Sequence, residues 1–379
     1  MRNVVIACGG TGGHLTPGIA LAQNLEEKGY PSWLFISQKA VDSRLSRKYP
    51  KLSFEPMPGA PLIKSPLGLA RFVYGFIFSF LRSYRFFGRV GADALVGFGG
   101  FSSFGPAMAA RARGIPVFIH EANRAVGKAV RFLAKRSNRL YLPEGVLLDG
   151  ISPEVIRNIG YPLRKEFRRI PKERARKQLG ISLQDRLLVV LGGSQGAVAL
   201  NRWVKDNLES LAAEGISTYC LTGMNNESSG VVQLEGLGGQ IVTNRFVSFT
   251  DEMNTVLSAA DLVISRAGAG AIAEIVRCRI PSILIPYPFA ADNHQFLNGE
   301  FLELKGGSIL CAEDNMSENL LDEVREVMFN EDFRTILRRN LFALDCGDVA
   351  SRISDDICQC LKDRAANEPI QGGVLRMIG

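Results

Sequence analysis

Short runs of apolar residues alternate with longer amphipathic stretches along most of the chain. One series of apolar runs covers Val4–Cys8, Trp33–Ile36, Ala94–Gly97, Pro116–His120 and Arg139–Leu142, and a second covers Leu187–Leu191, Ser217–Leu221, Gln240–Val242, Leu262–Ser265 and Ser282–Pro286. Stretches with helical periodicity, such as Pro17–Glu27 and Val126–Lys135, lie between them. Apolar strands separated by helices are typical of parallel sheets that are covered on both faces. The pattern therefore predicts an α/β protein.

The two series of apolar runs begin in the same way. Val4–Ala7 leads into the glycine-rich segment Gly9–Gly13, and Leu187–Leu191 leads into Gly192–Gly196. A strand, a glycine-rich loop and a helix start therefore open each half of the chain. In sheets of this kind, ligands bind beyond the carboxyl ends of the strands.

A segment with a glycine and a proline, Asn158–Pro162, separates the two halves. We predict two Rossmann-like domains, residues 1–160 and 161–345, whose parallel sheets face each other across a cleft. Residues 346–379 are expected to form a helix that packs back on the N-terminal domain, followed by a tail.

The charge of the chain is uneven. Among 379 residues, 45 are Lys or Arg and 38 are Asp or Glu, which gives a net charge of +7. Residues 1–160 hold 21 basic and 9 acidic side chains, whereas the remainder holds 24 and 29. A basic N-terminal half is expected to meet an anionic partner, either nucleic acid or a membrane surface. Seven scattered cysteines indicate reduced thiols in a cytosolic protein, and the early strand argues against a signal peptide.

The first glycine-rich loop carries a histidine. Four glycines among residues 9–13 allow a ligand to approach the backbone closely, and the helix start after them offers free N–H groups. His14, one of three histidines, can reach a bound hydroxyl from this position. The alternative is a tight turn with a capping histidine. The second loop offers the Ser194 hydroxyl and the Gln195 amide to a diphosphate, and its alternative is a plain strand–helix connection.

Further candidate residues follow later strands. Gly268-x-Gly270-x-x-Ala273 formally matches a dinucleotide fingerprint, and Glu274 on the first turns of that helix can accept two ribose hydroxyls. The alternative is a small-residue helix start packed on the sheet. Asp292 and Gln295 suit sugar hydroxyls, although Asp292 also suits a helix N-cap. His120 and Glu121 follow a strand of the first half, with buried polar pairing as their alternative role.

The segment from Leu62 to Val90 combines aromatic and basic residues. It is too short and too charged to span a bilayer. A helix here places a broad apolar face beside arginines, as interfacial helices do, and a core helix is the alternative. The side chains that we expect at an anionic membrane or lipid acceptor are Phe72, Phe76, Phe80, Arg82 and Arg85.

Six motifs together resemble the peptidoglycan lipid-intermediate N-acetylglucosaminyltransferases, which belong to glycosyltransferase family 28 of the GT-B class. They are Gly9–His14, Gly97–Phe101, His120–Asn123, Gly160–Arg164, Gly192–Ala197, and Asp292–Gln295 with Asn298. The resemblance covers about residues 1–345 and implies a GT-B fold. Alanines at 122, 267, 271 and 273 depart from the family, which often has Gln at the first position and Ser or Thr at the others.

The resemblance implies an inverting transfer of GlcNAc from UDP-GlcNAc to the C4 hydroxyl of undecaprenyl-linked lipid I in peptidoglycan synthesis. By matching positions, Thr11, Gly12, Gly13 and Asn123 would line the acceptor side and touch the donor sugar. The donor would further be bound by Arg164, Ser194, Gln195, Thr250, Ala269, Gly270, Glu274 and Gln295. The resemblance places the protein at the cytoplasmic face of the cell membrane as a peripheral protein, with other wall-synthesis enzymes as candidate partners and nucleic acid excluded.

Direct displacement requires a base for the acceptor proton. His14 is our first choice because imidazole titrates near neutral pH, and Glu121 is the second. No Asp-x-Asp motif is present, so we expect neither a metal nor a cofactor. The alternatives are a UDP-GlcNAc epimerase, an NAD-dependent oxidoreductase that fits the Gly268 fingerprint alone, and a non-catalytic scaffold of the wall-synthesis machinery.

Overall fold

The computed structural model describes residues 2–10, 12–58, 66–193, 195–224 and 229–367. Thr11 and Ser194, two of the expected donor-binding residues, lie outside the described residues. The described chain forms two seven-stranded sheets, each flanked by helices. The predicted α/β class with two Rossmann-like sheets is therefore confirmed.

The first sheet is built from residues 3–158 and is parallel throughout. Its strands are β1 (Asn3–Ala7), β2 (Ser32–Ile36), β3 (Ser53–Pro56), β4 (Ala92–Gly97), β5 (Val117–His120), β6 (Arg139–Leu142) and β7 (Ile156–Asn158). Their order is β3-β2-β1-β4-β5-β6-β7. The helices are α1 (Gly12–Glu27), α2 (Ala40–Ser46), α3 (Pro66–Val90), α4 (Phe104–Ala112) and α5 (Lys128–Ala134). The strand order reverses between β1 and β4, so the loops after these two strands border a crevice where ligands bind.

The second sheet repeats the plan with one antiparallel edge. Its strands are β8 (Arg186–Leu191), β9 (Ile216–Leu221), β10 (Gly230–Glu235), β11 (Ile241–Val247), β12 (Leu262–Ser265), β13 (Ser282–Leu284) and β14 (Ile309–Leu310). Their order is β10-β11-β9-β8-β12-β13-β14, and β10 runs antiparallel to β11. The reversal between β8 and β12 sets the loops after these strands at the corresponding crevice.

Nine helices among the described residues accompany the second half of the chain. They are α6 (Lys172–Leu179), α7 (Val198–Asp206), α8 (Leu208–Ala213), α9 (Met253–Ala259), α10 (Ala269–Cys278), α11 (His294–Leu304), α12 (Met316–Phe329), α13 (Glu331–Leu344) and α14 (Val349–Asn367). The last of these leaves the second sheet and packs against α1, where Ile353 and Ile357 are fully buried in the core of the first domain. Lys28, directly after α1, donates to Ser354 Oγ on α14 over 2.7 Å.

Helix α1 begins earlier than its apolar periodicity indicates. Periodicity starts at Pro17, but the helix begins at Gly12 and contains the proline as an interior residue. A proline inside a helix has no N–H and cannot donate to the carbonyl group four residues earlier, here that of Gly13. The first turn of α1 therefore lacks one of its usual hydrogen bonds.

Helix α3 is the long aromatic helix expected between Leu62 and Val90. Within the described parts of the chain, no helix is long and apolar enough to cross a membrane. The outward face of α3 carries Tyr74 and Phe78, which are 73% and 46% exposed. Phe76 and Phe80 are only half-exposed, and the Phe76 ring packs 5.2 Å from that of Phe104 on α4.

Candidate active site

A cleft of about 920 Å³ lies between the two domains. Residues from α1, α2 and the linker after β7 form one side, and the loops after β8, β11 and β12 form the other. Seven of the expected site residues line it: Gly13, Arg164, Gln195, Thr250, Gly270, Glu274 and Gln295. The carboxyl ends of both sheets thus contribute to one cavity.

The first glycine-rich loop is held in place from β2 and α2. Gly10 has a φ of +122° and donates its backbone N–H to the buried Asp42 carboxylate over 3.1 Å. The same carboxylate accepts from the hydroxyl of Ser37 over 2.6 Å. A Cβ atom on Gly9 would collide with the backbone N of Ser37, so the loop tolerates no side chain there. The loop therefore delivers the first turn of α1, with His14, to a fixed place.

His14 lies between this loop and the loop after β4. A Cβ atom added to Gly100 would sit 3.2 Å from the His14 Cε1 atom, so the two loops are in close contact. Burial lowers the pKa of His14 below its usual 6.5, opposed by the Asp42 carboxylate and assisted by Lys39. The imidazole is therefore neutral at neutral pH and able to accept a proton. Its neighbours Gly13 and Thr16 line the cleft.

His120 and Glu121 have mainly structural partners. His120 is 2% exposed, its Nε2 lies 3.3 Å from the Gly160 carbonyl oxygen, and burial lowers its pKa to about 4. The Glu121 carboxylate accepts hydrogen bonds from the Asn123 backbone N (2.9 Å), the Asn123 side chain (3.1 Å) and the Gly127 N–H (3.2 Å). These bonds use both carboxylate oxygens and shape the loop after β5, which favours buried polar pairing for Glu121.

Asn123, Glu121 and Ala269 lie beside the main cleft rather than along its wall. Glu121 and Ala269 line a second cavity of about 140 Å³ behind the linker. Asn123 is hydrogen-bonded to Asn298 on α11, which also borders this second cavity. The loop after β5 therefore meets the second domain at the back of the cleft.

Arg164 and Glu274 are the charged residues among the expected donor-binding residues that line the cleft. Arg164 donates to the Tyr49 hydroxyl over 2.9 Å and pairs with Glu166 at 3.6 Å. Glu274 lies on α10, and burial raises its pKa to about 7, against the opposing effect of Arg164. A carboxyl group this close to neutrality accepts hydrogen bonds as an anion or donates one when protonated.

The other expected donor-binding residues come from separate segments. Gln195 follows β8, Thr250 follows β11, and Gln295 lies in the first turn of α11 with its Oε1 accepting the backbone N–H of Tyr287 over 3.0 Å. Gly270 lies in the first turn of α10. The first N–H groups of a helix have no acceptor within the helix, so a helix N-terminus favours a bound anion. Together they surround the space beside Glu274 with amides, hydroxyls and a helix N-terminus.

The expected membrane-facing residues are connected to the cleft. The Phe72 ring on α3 packs 5.6 Å from that of Phe101, which follows Gly100 and thus the His14 contact. Arg82 is paired with Glu55 at 2.8 Å, whereas Arg85 is exposed. The start of α3 therefore packs against the loop after β4, which contacts His14.

Several cleft residues were missed from the sequence. Tyr161 binds the first turn of α1, and Arg44 on α2 lies 4.2 Å from the centre of the Phe249 ring in the other domain. Arg266 pairs with Glu313 at the cleft wall. Of these residues, only Tyr161 has a signal in the sequence, because it belongs to the segment Asn158–Pro162 that is predicted to separate the two domains. The contact between Arg44 and Phe249 joins segments some 200 residues apart, and no local pattern marks it.

No group of three or more His, Cys, Asp or Glu side chains within residues 2–10, 12–58, 66–193, 195–224 and 229–367 is arranged to hold a metal ion. The polar groups of the cleft include amides, hydroxyls and the charged side chains of Arg44, Lys48, Arg164, Asp251, Arg266, Glu274 and Glu313.

Two facing Rossmann-like domains with a nucleotide-sized cleft are the fold of GT-B glycosyltransferases. Among solved structures, MurG of Acinetobacter baumannii superposes with a TM-score of 0.71 at 21% identity, covering 95% of this chain and 100% of that one. The calicheamicin glycosyltransferase CalG4 gives a TM-score of 0.69 at 13% identity, covering 97% and 99%.

Family models narrow this class. Residues 4–142 match the glycosyltransferase family 28 N-terminal domain, and residues 187–343 match the family 28 C-terminal domain. The chain therefore belongs to glycosyltransferase family 28.

Two curated relatives carry the same name, UDP-N-acetylglucosamine–N-acetylmuramyl-(pentapeptide) pyrophosphoryl-undecaprenol N-acetylglucosamine transferase. The protein from Opitutus terrae is 43% identical over 373 residues, 97% of each chain. The protein from Elusimicrobium minutum is 30% identical over 355 residues, which are 92% of this chain and 96% of the relative.

Proposed function

We propose that this protein transfers GlcNAc from UDP-GlcNAc to the C4 hydroxyl of the N-acetylmuramoyl-pentapeptide of undecaprenyl-linked lipid I, with inversion at the anomeric carbon. The observation that carries the proposal is the 43% identity over 97% of both chains with a relative named for this reaction. The cleft between the two domains has the chemistry that such a transfer needs.

His14 is the proposed base. Its Nε2 or Nδ1 takes the proton from the acceptor hydroxyl, the freed oxygen attacks the anomeric carbon, and the bond to the UDP oxygen breaks. A neutral imidazole is required at the start, and the lowered pKa of His14 supplies it. Glu121 is a weaker candidate because three N–H groups occupy its carboxylate.

The second domain is proposed to bind the donor. Arg164, Gln195 and the N-terminus of α10 at Ala269 and Gly270 supply positive charge and N–H groups for the diphosphate, whose negative charge grows as UDP departs. Ser194, which precedes Gln195 in the sequence, is proposed to bind the diphosphate as well. Glu274 is proposed to bind the ribose hydroxyls, the Thr250 backbone the uracil, and Gln295 the transferred sugar.

The first domain is proposed to bind the acceptor at a membrane surface. Gly12 and Gly13 lie in the first turn of α1, and Asn123 lies in the loop after β5. Thr11, which precedes Gly12 in the sequence, is proposed to act with them. The exposed aromatic face of α3, with basic residues such as Arg85 beside it, suits the interface of an anionic membrane at its cytoplasmic face. The Phe72–Phe101 contact links this helix to the loop after β4, which contacts His14, so we propose that a lipid-linked sugar held at α3 lies near the base.

The test is transfer of labelled GlcNAc from UDP-GlcNAc to a short-chain lipid I analogue, with EDTA present, for the wild type and His14→Ala. Donor binding is measured separately in both. We expect wild-type transfer, a loss of about 10²-fold or more in the variant, and unchanged binding of UDP-GlcNAc. The acid limb of the wild-type kcat/KM profile should report a pKa below 6.5.

Other outcomes redirect the proposal. Wild-type transfer with an unaffected variant would keep the reaction and assign the base elsewhere. Binding of UDP-GlcNAc without any transfer would overturn the proposed reaction and favour an epimerase or a scaffold.

A further inference from the structure

The linker between the two domains contributes a hydroxyl to the first turn of α1. The Tyr161 hydroxyl donates to the Gly13 carbonyl oxygen over 2.8 Å, and the Thr16 hydroxyl lies 2.8 Å from the same oxygen of Tyr161. Since the tyrosine has one proton, which goes to Gly13, Thr16 is the donor in the second bond. Tyr161 therefore binds residues on both sides of His14.

The Gly13 carbonyl group is one that α1 itself leaves without its usual donor. In an α-helix the carbonyl of residue 13 accepts from the N–H of residue 17, and residue 17 is a proline. Proline has no N–H, and its ring crowds the carbonyl four residues earlier. The Tyr161 hydroxyl replaces the donor that the helix lacks.

The other side of Tyr161 contacts the second domain. A Cβ atom on Gly270 would lie 3.1 Å from the Tyr161 hydroxyl oxygen and 3.3 Å from its Cζ atom. Gly270 lies in the first turn of α10, one turn before Glu274. The tyrosine ring is thus packed between the first turn of α1 and the first turn of α10.

Surrounding groups hold the tyrosine in its neutral form. Burial raises its pKa, and the Glu274 carboxyl group adds to this effect. A neutral hydroxyl has the proton that the bond to Gly13 requires. The His120 ring, 6.4 Å away with an interplanar angle of 75°, supports the tyrosine ring from the side of β5.

We propose that Tyr161 is a positioning residue for His14: it supplies the hydrogen bond that Pro17 denies to Gly13, and it ties the turn that carries His14 to the start of α10. This inference rests on the proposed function, in which His14 is the base and α10 binds the donor. A shift of the linker or of α10 changes the orientation of the imidazole through this one hydroxyl.

The first test removes the hydroxyl alone. Tyr161→Phe is expected to lower kcat about ten-fold, because a misplaced base loses its near-attack geometry, while KM for UDP-GlcNAc stays within about two-fold. The matched control is Tyr141→Phe, which removes a buried hydroxyl that donates to Asp356 over 2.7 Å, away from the cleft. We expect Tyr141→Phe to lower the melting temperature at least as much as Tyr161→Phe does, and to leave kcat unchanged.

The second test restores the missing donor. Pro17→Ala gives residue 17 an N–H that can bind the Gly13 carbonyl group. In this background, Tyr161→Phe is expected to reduce kcat by less than about three-fold, since the helix then holds its own first turn. An equal reduction in both backgrounds, or a rise in KM without a fall in kcat, would overturn the proposal.

A third measurement does not require activity. The protein has three histidines, so the Cε1–H resonances of His14, His120 and His294 can be followed by NMR during a pH titration. In Tyr161→Phe, the His14 pKa is expected to rise towards 6.5 as its turn loosens. If the His14 titration in Tyr161→Phe equals that of the wild type, the positioning role of Tyr161 is wrong. If the titration changes but the wild type transfers no GlcNAc, only the proposed reaction is wrong.

Discussion

The Asn298 side chain on α11 donates its amide to the Asn123 side chain across the domain boundary, over 3.1 Å. Its carbonyl oxygen accepts the backbone N–H of Arg124 over 3.0 Å, and the same amide lies 3.3 Å from the Ala267 carbonyl oxygen. Only 5% of Asn298 is exposed. One buried side chain therefore connects the loop after β5 to the end of β12.

Asn298→Ala should weaken this connection. Arg124 and Asn123 lose their partner in a buried place, so we expect the free energy of unfolding to fall by about 1–3 kcal/mol, as measured by urea denaturation. The control is Asn158→Ala, an exposed amide that binds two carbonyl groups within the first domain. A smaller loss in Asn298→Ala than in the control would show that the cross-domain amide contributes little.

Glu274 predicts a pH-dependent affinity for the donor. Its pKa near 7 means that the carboxylate, which is proposed to accept hydrogen bonds from the ribose hydroxyls, becomes protonated as the pH falls below this value. The affinity for UDP-GlcNAc should therefore rise between pH 6 and pH 8 by about ten-fold at most per unit. UDP-GlcNAc is a suitable ligand between pH 6 and pH 8, because its diphosphate is esterified at both ends and its charge does not change in this range.

Glu274→Gln removes the titrating group and should give weaker, pH-independent binding in calorimetry. Asp251→Asn is the control, because Asp251 also lines the cleft but is exposed and paired with Lys48. The interpretation fails if Glu274→Gln keeps the wild-type dependence on pH.

His120 predicts a loss of stability in mild acid. Its pKa is about 4 in the folded protein against 6.5 ordinarily, so the unfolded chain binds the extra proton first. Stability therefore falls as the pH drops from 6.5 to 4, by about 3 kcal/mol from this group. His120→Gln, which keeps an N–H donor for the Gly160 carbonyl, should flatten the pH dependence of urea unfolding.

The two faces of α3 predict separate effects. Tyr74→Ala with Phe78→Ala removes exposed rings, so binding to vesicles containing phosphatidylglycerol should fall about ten-fold with little change in stability. Phe76→Ala with Phe80→Ala removes rings packed towards α4 and should lower stability by about 2 kcal/mol or more. Vesicle flotation measures membrane binding, and thermal unfolding measures stability. If both double variants lose membrane binding and stability to the same extent, the two faces of α3 do not have separate roles.

The sheets were predictable where strands are buried on both faces. β1, β4, β8 and β12 are continuous apolar runs, and their glycine-rich loops are visible as sequence. β10 escaped prediction because its residues are mostly exposed and it is stabilised by pairing with β11 alone. β14 is only two residues long and has no periodicity of its own.

The site was predictable as a set of loops but not as a set of contacts. Glycine-rich loops after strands indicated where Gly13, Gln195 and Gly270 would lie. Composition also indicated helix α3. It did not indicate which aromatic residues point outwards, because aromatic residues occur on both the exposed and the packed face of this helix. The bond from Tyr161 to Gly13 depends on a separation of 148 residues and on Pro17, and only the folded chain brings these together.

The packing of α14 against α1 has a consequence for synthesis of the chain. The core around Leu25 and Ile19 is completed by Ile353, Ile357 and Leu361, more than 300 residues later. The second sheet, in contrast, is contained within residues 186–310. During synthesis on the ribosome, the N-terminal domain therefore completes its core after the second sheet has been made. The apolar surface of α1 stays uncovered until α14 has left the ribosome.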